Sequence, residues 1–187
     1  MRKQRIAAAL ILFLGPISAA ASEVVIDFEG ATLFLENARS NRVEKVVEQG
    51  VVFQLAHEPR QSKGKGLLTY FAHIPSGRKG LLSAMAQEAI PVRATFPQPV
   101  SAVTVSMWGS TATPAVLEAF DAEGKVLDRA RVDAPPNRKS PADPVPIFQL
   151  SVKAPRIAYV QWSGPRPGEY LVVDELRFAP APAAAAN

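Results

Sequence analysis

Three pairs of carboxylates lie close together along the chain: Asp27 with Glu29, Glu118 with Asp121, and Asp174 with Glu175. Paired acids serve two kinds of chemistry. One is glycoside hydrolysis, in which one carboxyl donates a proton and the second acts as base or nucleophile at a set separation. The other is the capture of a hard cation, since calcium takes about six to eight oxygens from carboxylates, main-chain carbonyls and water. Along a strand, residues two apart share a face, so Asp27 and Glu29 point the same way while Asp174 and Glu175 diverge. Neither spacing by itself makes a catalytic pair. A fold that lays its first strand beside its last would bring Glu29 toward Asp174, with loop carbonyls completing a calcium shell. The alternative for both acids is solvent or a basic neighbour.

Two further residue types bear on recognition. Trp108 opens Trp108-Gly109-Ser110-Thr111, and Trp162 precedes Ser163-Gly164-Pro165-Arg166-Pro167-Gly168. Small polar neighbours would let a sugar ring or a partner approach either indole, which is apolar across its face and polar at its N–H. Arg166 has the planar fork that holds a carboxylate bidentately. The competing role for each tryptophan is a place in the core or at its rim, and for Arg166 a solvated loop. Lys63, Lys65, Arg78 and Lys79 would border an anionic surface, although nearby acids favour a solvated face.

Much else is excluded. His57-Glu58-Pro59-Arg60-Gln61 has Gln where a zinc-protease helix needs its second His, and Pro59 disfavours that helix. His73 is the only other histidine. No Gly-x-Ser-x-Gly elbow is present, and neither Gly64-Lys65-Gly66 nor Arg78-Lys79-Gly80 completes a phosphate-cradling loop. The absence of cysteine removes disulfide scaffolds, Cys nucleophiles, thiolate metal sites and lipidation of an N-terminal Cys.

The chain has 187 residues, long enough for one domain to bury a core without staples. Its formal charge of +4 hints at nucleic acid. Residues 1–21, however, have the three-part layout of a secretory signal peptide: Arg2, Lys3 and Arg5, then nine apolar residues from Ile6 to Leu14, then Ser18-Ala19-Ala20-Ala21. The apolar run is shorter than the roughly 20 residues that span a bilayer. Cleavage after Ala21 would leave 18 basic against 17 acidic residues, a nearly neutral chain with no nucleic-acid footprint. A periplasmic or extracellular protein is expected, with no stable membrane insertion once the leader is removed.

From Val24 onward, apolar runs of four to eight residues alternate with Pro, Gly, Asn and Asp, and no 3.6-residue period persists over three turns. That pattern predicts an all-β chain of about a dozen short strands, which bury one face each most simply as an antiparallel two-sheet β-sandwich. The expected strands are 24–28, 32–36, 43–47, 51–55, 67–72, 81–84, 92–96, 102–107, 115–120, 126–132, 148–152, 157–162 and 170–178. Val103, Val105 and Met107 alternate with Thr104 and Ser106, and Asp121-Ala122-Glu123-Gly124-Lys125 is the strongest hairpin signal. Asp128 interrupts the apolar face of 126–132. Leu81, Leu82, Met85, Ala86 and Ala89 fall at helical spacing, so a short helix competes there. The sandwich domain is expected over 22–178, with an Ala- and Pro-rich disordered tail over 179–187.

Val25-Ile26-Asp27-Phe28-Glu29-Gly30, Ala119 to Leu127, and Tyr170-Leu171-Val172-Val173-Asp174-Glu175-Leu176-Arg177-Phe178 resemble the galactose-binding-like jelly rolls of secreted bacterial proteins, the carbohydrate-binding-module type. The similarity covers most of 24–178. It implies a jelly roll, and it implies structural calcium at the positions of Glu29 and Asp174. Sugar binding in such modules rests on aromatic platforms, and among Trp108, Trp162, Tyr70, Tyr159 and Tyr170 no loop-borne pair is evident. The expected function is a secreted non-catalytic module recognising carbohydrate or glycan at the envelope through Trp108, Trp162 and Arg166, stiffened by calcium. A structural β-sandwich that binds an envelope protein is the alternative, followed by a glycoside hydrolase with a carboxylate pair.

Overall fold

The computed structural model describes residues 22–29, 45–58, 60, 68–72, 79–83, 88–136, 140, 143, 146–163, 166 and 169–181, with the main chain alone for 68–72, 79, 82, 83, 110 and 170. The leader at 1–21, the expected strand at 32–36, His73, Lys63, Lys65 and Arg78 fall outside the described residues. No helix among the described residues is long and apolar enough to cross a membrane.

Ten strands are described: β1 (Val24–Ile26), β2 (Lys45–Glu48), β3 (Val51–Leu55), β4 (Leu68–Ala72), β5 (Lys79–Ser83), β6 (Val92–Ser110), β7 (Ala115–Phe120), β8 (Val126–Val132), β9 (Phe148–Trp162) and β10 (Tyr170–Pro180). Every pairing is antiparallel. The chain is all-β, as its periodicity requires.

The two layers share two long strands. The first half of β6 and the second half of β9 lie between β3, with β2 beyond it, and β7, with β8 beyond it. Their other halves pair with each other, and β6 continues onto β10. β10 in turn carries β5 and β4 along its first residues and β1 along its last. The turnover point is marked by Pro97 and Pro99 in β6 and by Pro155 in β9. Proline has no N–H for the ladder. Here the register jumps from Thr95↔Tyr159 to Val100↔Ile157 and then to Ala102↔Lys153, and Arg156 takes φ 63°. These prolines bend strands where the sequence suggested that they separate them, so 92–96 joins 102–107 and 148–152 joins 157–162.

The layers meet over one core. Phe28, just past β1, packs edge-on against Phe53 of β3 with ring centroids 5.4 Å apart, and Phe53 contacts Trp162 of β9 at 6.4 Å. Phe96 meets Phe178 at 5.1 Å near the turnover. Val103, Val105 and Met107 are buried in this core, on the face their alternation assigns them. Each such side chain contributes roughly 1.5–3 kcal/mol relative to exposure.

Three local features explain sequence irregularities. In the β7–β8 turn, Lys125 N–H donates to Asp121 Oδ1 at 2.8 Å, Asp121 N–H donates to Lys125 O at 3.1 Å, and Gly124 takes φ +85°, as the hairpin signal requires. Asp128, the break in the apolar face of β8, accepts the N–H of Lys153 at 2.7 Å, where β9 lacks a ladder partner on that side. Residues 79–83 are strand and not the start of a helix, and a Cβ on Gly80 would collide with Val172 Cγ1 and Val173 O. The sheet also extends past the expected domain end. Ala179 and Pro180 pair with Ala102 and Val100 across a register shift, and beyond the proline the Ala181 N–H donates to Pro99 O at 3.2 Å.

Candidate functional site

The tryptophans do not form the surface expected of them. Trp162 is 1% exposed and stands in the core with Val160, its neighbour on the same face of β9. Trp108 is 2% exposed. It falls on the opposite face of β6 from Met107, the face of Thr104 and Ser106, beside Val172 of β10. An indole so covered has no ring face to offer a sugar. Both residues instead anchor the stems of two loops that meet at one end of the sandwich.

Those loops are tied by a residue the sequence did not single out. Glu169 Oε2 accepts hydrogen bonds from Thr113 Oγ1 at 2.6 Å, Thr111 Oγ1 at 2.8 Å and the Arg166 N–H at 3.1 Å, while Oε1 accepts the Ala112 N–H at 2.9 Å. These donors, the Thr113 hydroxyl foremost, hold the carboxyl down to a pKa of about 2. Ser163 adds a second tie: its N–H donates to Val116 O at 2.9 Å and its Oγ accepts the Val116 N–H at 3.0 Å. Arg166 is exposed on this tied loop. Through these four hydrogen bonds Glu169 clamps the 111–113 segment to the loop of Arg166.

Glu29 and Asp174 are brought toward the same seam. β1 lies on β10 with Ile26 opposite Leu176, so the first strand does run beside the last. Asp174 occupies the extra position of a bulge, between Val173↔Met107 and Glu175↔Ser106, and is 6% exposed. Glu29 is exposed, and its N–H donates to Asp27 Oδ1 at 3.1 Å. Among the described residues no three His, Cys, Asp or Glu side chains gather into a metal-binding group.

The surface with the most chemistry to offer is the outer face of the layer containing β2, β3, β7 and β8. In-register partners share a face. One row across the strands reads Val47, Val52, Thr95, Tyr159, Phe120 and Val126, and the adjacent row reads Lys45, Gln54, Arg93, Gln161, Glu118 and Arg129. Tyr159 and Phe120 stack with centroids 4.7 Å apart and planes within 8°, and the Arg93 guanidinium carbon lies 4.5 Å from the Tyr159 centroid. β7 and β6 flank β9 on opposite sides, so Tyr159 is held between an aromatic ring and a cation. The ring separation matches the strand spacing of about 4.8 Å, so the rings stand edge-up on the sheet.

Arg93 is fixed a second time by Gln161. With its amide oriented by hydrogen-bond satisfaction, the Gln161 oxygen accepts from Arg93 Nε at 3.0 Å and Nη2 at 2.9 Å. Gly124 of the β7–β8 turn closes the far end, where a Cβ would lie 3.4 Å from Tyr159 Oη. Tyr159, Phe120, Arg93 and Gln161 are each partly exposed. The signal for this face was present in the alternation. Leu117 and Ala119 turn inward, which leaves Glu118 and Phe120 outward, and inward Val160 and Trp162 leave Tyr159 and Gln161 outward.

No protein-family model and no curated protein matches the chain. Among solved structures, the K2 cleaved adhesin domain of Lys-gingipain is similar with a TM-score of 0.51 at 12% identity, over 84% of this chain and 99% of that one. The K1 cleaved adhesin domain of Lys-gingipain from Porphyromonas gingivalis W83 gives 0.50 at 11% identity, over 85% and 98%. TmCBM61, solved in complex with β-1,4-galactotriose, gives 0.44 at 10% identity, over 68% and 88%. The chain is an antiparallel β-sandwich with the fold of the cleaved adhesin domains, and its resemblance to galactose-binding-like jelly rolls is one of architecture.

Proposed function

We propose that the protein is a non-catalytic glycan-binding domain, and that a polysaccharide lies across the strands on the outer face centred on Tyr159. What supports this reading is the pairing of two rows on one open face. The upturned edges of the Tyr159–Phe120 stack, with Thr95 and Val126 beside them, form an apolar ridge against which a sugar ring can pack without a free ring face, and the neighbouring Gln54, Arg93, Gln161 and Glu118 suit its hydroxyls. The Arg93–Tyr159–Phe120 stack is held before a ligand arrives, so little side-chain entropy is lost on binding. Export by the N-terminal leader would place this face outside the cytoplasm, among envelope or extracellular glycans.

Affinity electrophoresis through gels containing soluble polysaccharides tests the proposal. Retardation by at least one polysaccharide, lost in Tyr159→Ala with the fold retained by circular dichroism, is the expected result. Binding to an envelope protein with no polysaccharide retarding the chain would overturn it in favour of a protein-interaction module. Turnover of a polysaccharide, abolished by replacing one acid, would overturn it in favour of a hydrolase. Calcium at the β1–β10 seam is proposed as a separate stabilising element. A bound ion would raise the melting temperature at millimolar calcium and the chelator would reverse the rise, whereas identical melts with calcium and with chelator would remove it.

A further inference from the structure

The two outer faces of the sandwich differ in charge. On the face centred on Tyr159, the outward positions carry Lys45, Arg93, Arg129 and Arg131 against Glu118 alone within the strands. Within the strands of the opposite layer, outward Arg177 and Lys153 stand with Glu175, a smaller excess of positive charge. The excess on the Tyr159 face is thus confined to its strand positions, since Asp121, Glu123 and Asp133 lie in the adjoining turns.

The pairing pattern leaves positive charge available. Arg93 spends its contacts on the neutral Gln161 amide and the Tyr159 ring, neither of which carries a compensating charge. Arg129 reaches Glu118 only at 3.5 Å from Nε and keeps a side chain 55% exposed. Arg131 is spoken for by Asp133 at 2.6 Å. Lys45 is exposed at the β2 edge, with no ion pair among the described residues. Lys45, Arg93 and Arg129 lie in one row, separated by two and three strand spacings, roughly 10 and 14 Å.

A row of separated cations beside an aromatic ridge has a chemical counterpart in a sugar chain that carries an anionic group at intervals. We infer that the ligand of this face is an acidic polysaccharide, its rings resting on Tyr159, Phe120 and Val126 and its carboxylate or sulfate groups meeting Arg93, Arg129 and Lys45. This inference rests on the glycan-binding reading of the same face and specifies its substrate class. A neutral glycan would leave the cations idle. An acidic polypeptide would satisfy the charges without using the ridge.

The experiment compares affinities of the wild-type chain for polygalacturonate, dextran sulfate, neutral β-1,4-galactan and polyglutamate, at low salt and at about 1 M salt, where the screening length falls to about 3 Å. At low salt, one of the two polyanionic sugars is expected to bind about tenfold or more tighter than galactan, a difference of about 1.4 kcal/mol, and the gap should shrink in high salt. The two polyanions distinguish carboxylate from sulfate as the recognised group. The double variant Lys45→Gln, Arg129→Gln is expected to cut the acidic-over-neutral ratio about fivefold, the scale of exposed charge contacts. Galactan binding as tightly as either polyanionic sugar, or a ratio unmoved in the double variant, overturns the inference and leaves glycan binding standing. Polyglutamate binding as tightly as the acidic sugars overturns it as mere charge attraction. Failure of every polysaccharide overturns both.

Discussion

Tyr159 and Phe120 stack within 8° of parallel across neighbouring strands, and the turn that joins β7 to β8 places Gly124 against the tyrosine hydroxyl. The outward aromatic surface is thereby built by three consecutive features of one hairpin and its neighbour: a strand with alternating burial, a turn with a positive-φ glycine, and a partner strand in register. The Arg93 guanidinium completes it from the other side of β9.

Gly124 holds φ +85°, a region costly for a residue with a Cβ. Gly124→Ala is expected to lower stability by about 1–2 kcal/mol. Tyr159 should shift little, since the new methyl would stand 3.4 Å from Oη, at the limit of ordinary van der Waals contact. Chemical denaturation measures the first effect, and tyrosine fluorescence anisotropy or side-chain NMR measures the second. An unchanged denaturation midpoint would contradict the strained-turn account.

Trp162 has a core role, so Trp162→Ala should cost about 3–5 kcal/mol by leaving a cavity beside Phe53. Polysaccharide affinity, measured on the fraction that remains folded, should change little. Tyr159→Phe is the complementary probe: it keeps the stack on Phe120, removes one hydroxyl and should leave stability nearly unaltered. A folded Trp162→Ala chain that has lost binding would return the tryptophan to the site.

The clamp at Glu169 carries a pH signature. Its folded pKa of about 2 lies below the ordinary 4.5, so the ionised form is favoured by folding. That contribution is fully present above pH 4.5 and is lost as pH falls from 4.5 through about 2. Melting curves of wild type and Glu169→Gln should therefore converge as pH falls across that window, with the variant less stable at neutral pH. Parallel curves throughout would remove the clamp's electrostatic role.

Asp128 is expected to matter beyond its exposure. Its carboxylate accepts the Lys153 N–H at 2.7 Å and the Arg129 N–H at 2.8 Å. Asp128→Ala should cost about 0.5–1.5 kcal/mol, the net worth of an intramolecular hydrogen bond whose donor water can reach. Asp128→Asn, which keeps an acceptor oxygen, should recover part of that loss. Amide exchange at Lys153 provides the local readout, and slow exchange in Asp128→Ala would contradict the assignment.

Local chemistry was enough to establish the all-β class, most strand positions and the Asp121–Lys125 turn, because these depend on alternation, on glycine at positive φ and on side chains that bond their own turn. It also marked the end of β9 at Trp162, though with the wrong role for the indole, and it ended the strand before Trp108 at Met107 where β6 runs on to Ser110. A tryptophan's type says that it is large and amphipathic; whether its face meets solvent depends on which side of the sheet its register assigns and on what covers that side. The same limit hid the turnover of β6 and β9, since Pro97, Pro99 and Pro155 read locally as strand breaks and only the opposing strand shows that pairing resumes beyond them. Arg93, Gln161, Tyr159 and Phe120 are distributed over three strands and up to 68 sequence positions, as their numbering shows. No spacing rule links them. Long-range register decided their proximity, because cross-strand neighbours are chosen by the burial of the opposite face and not by distance along the chain.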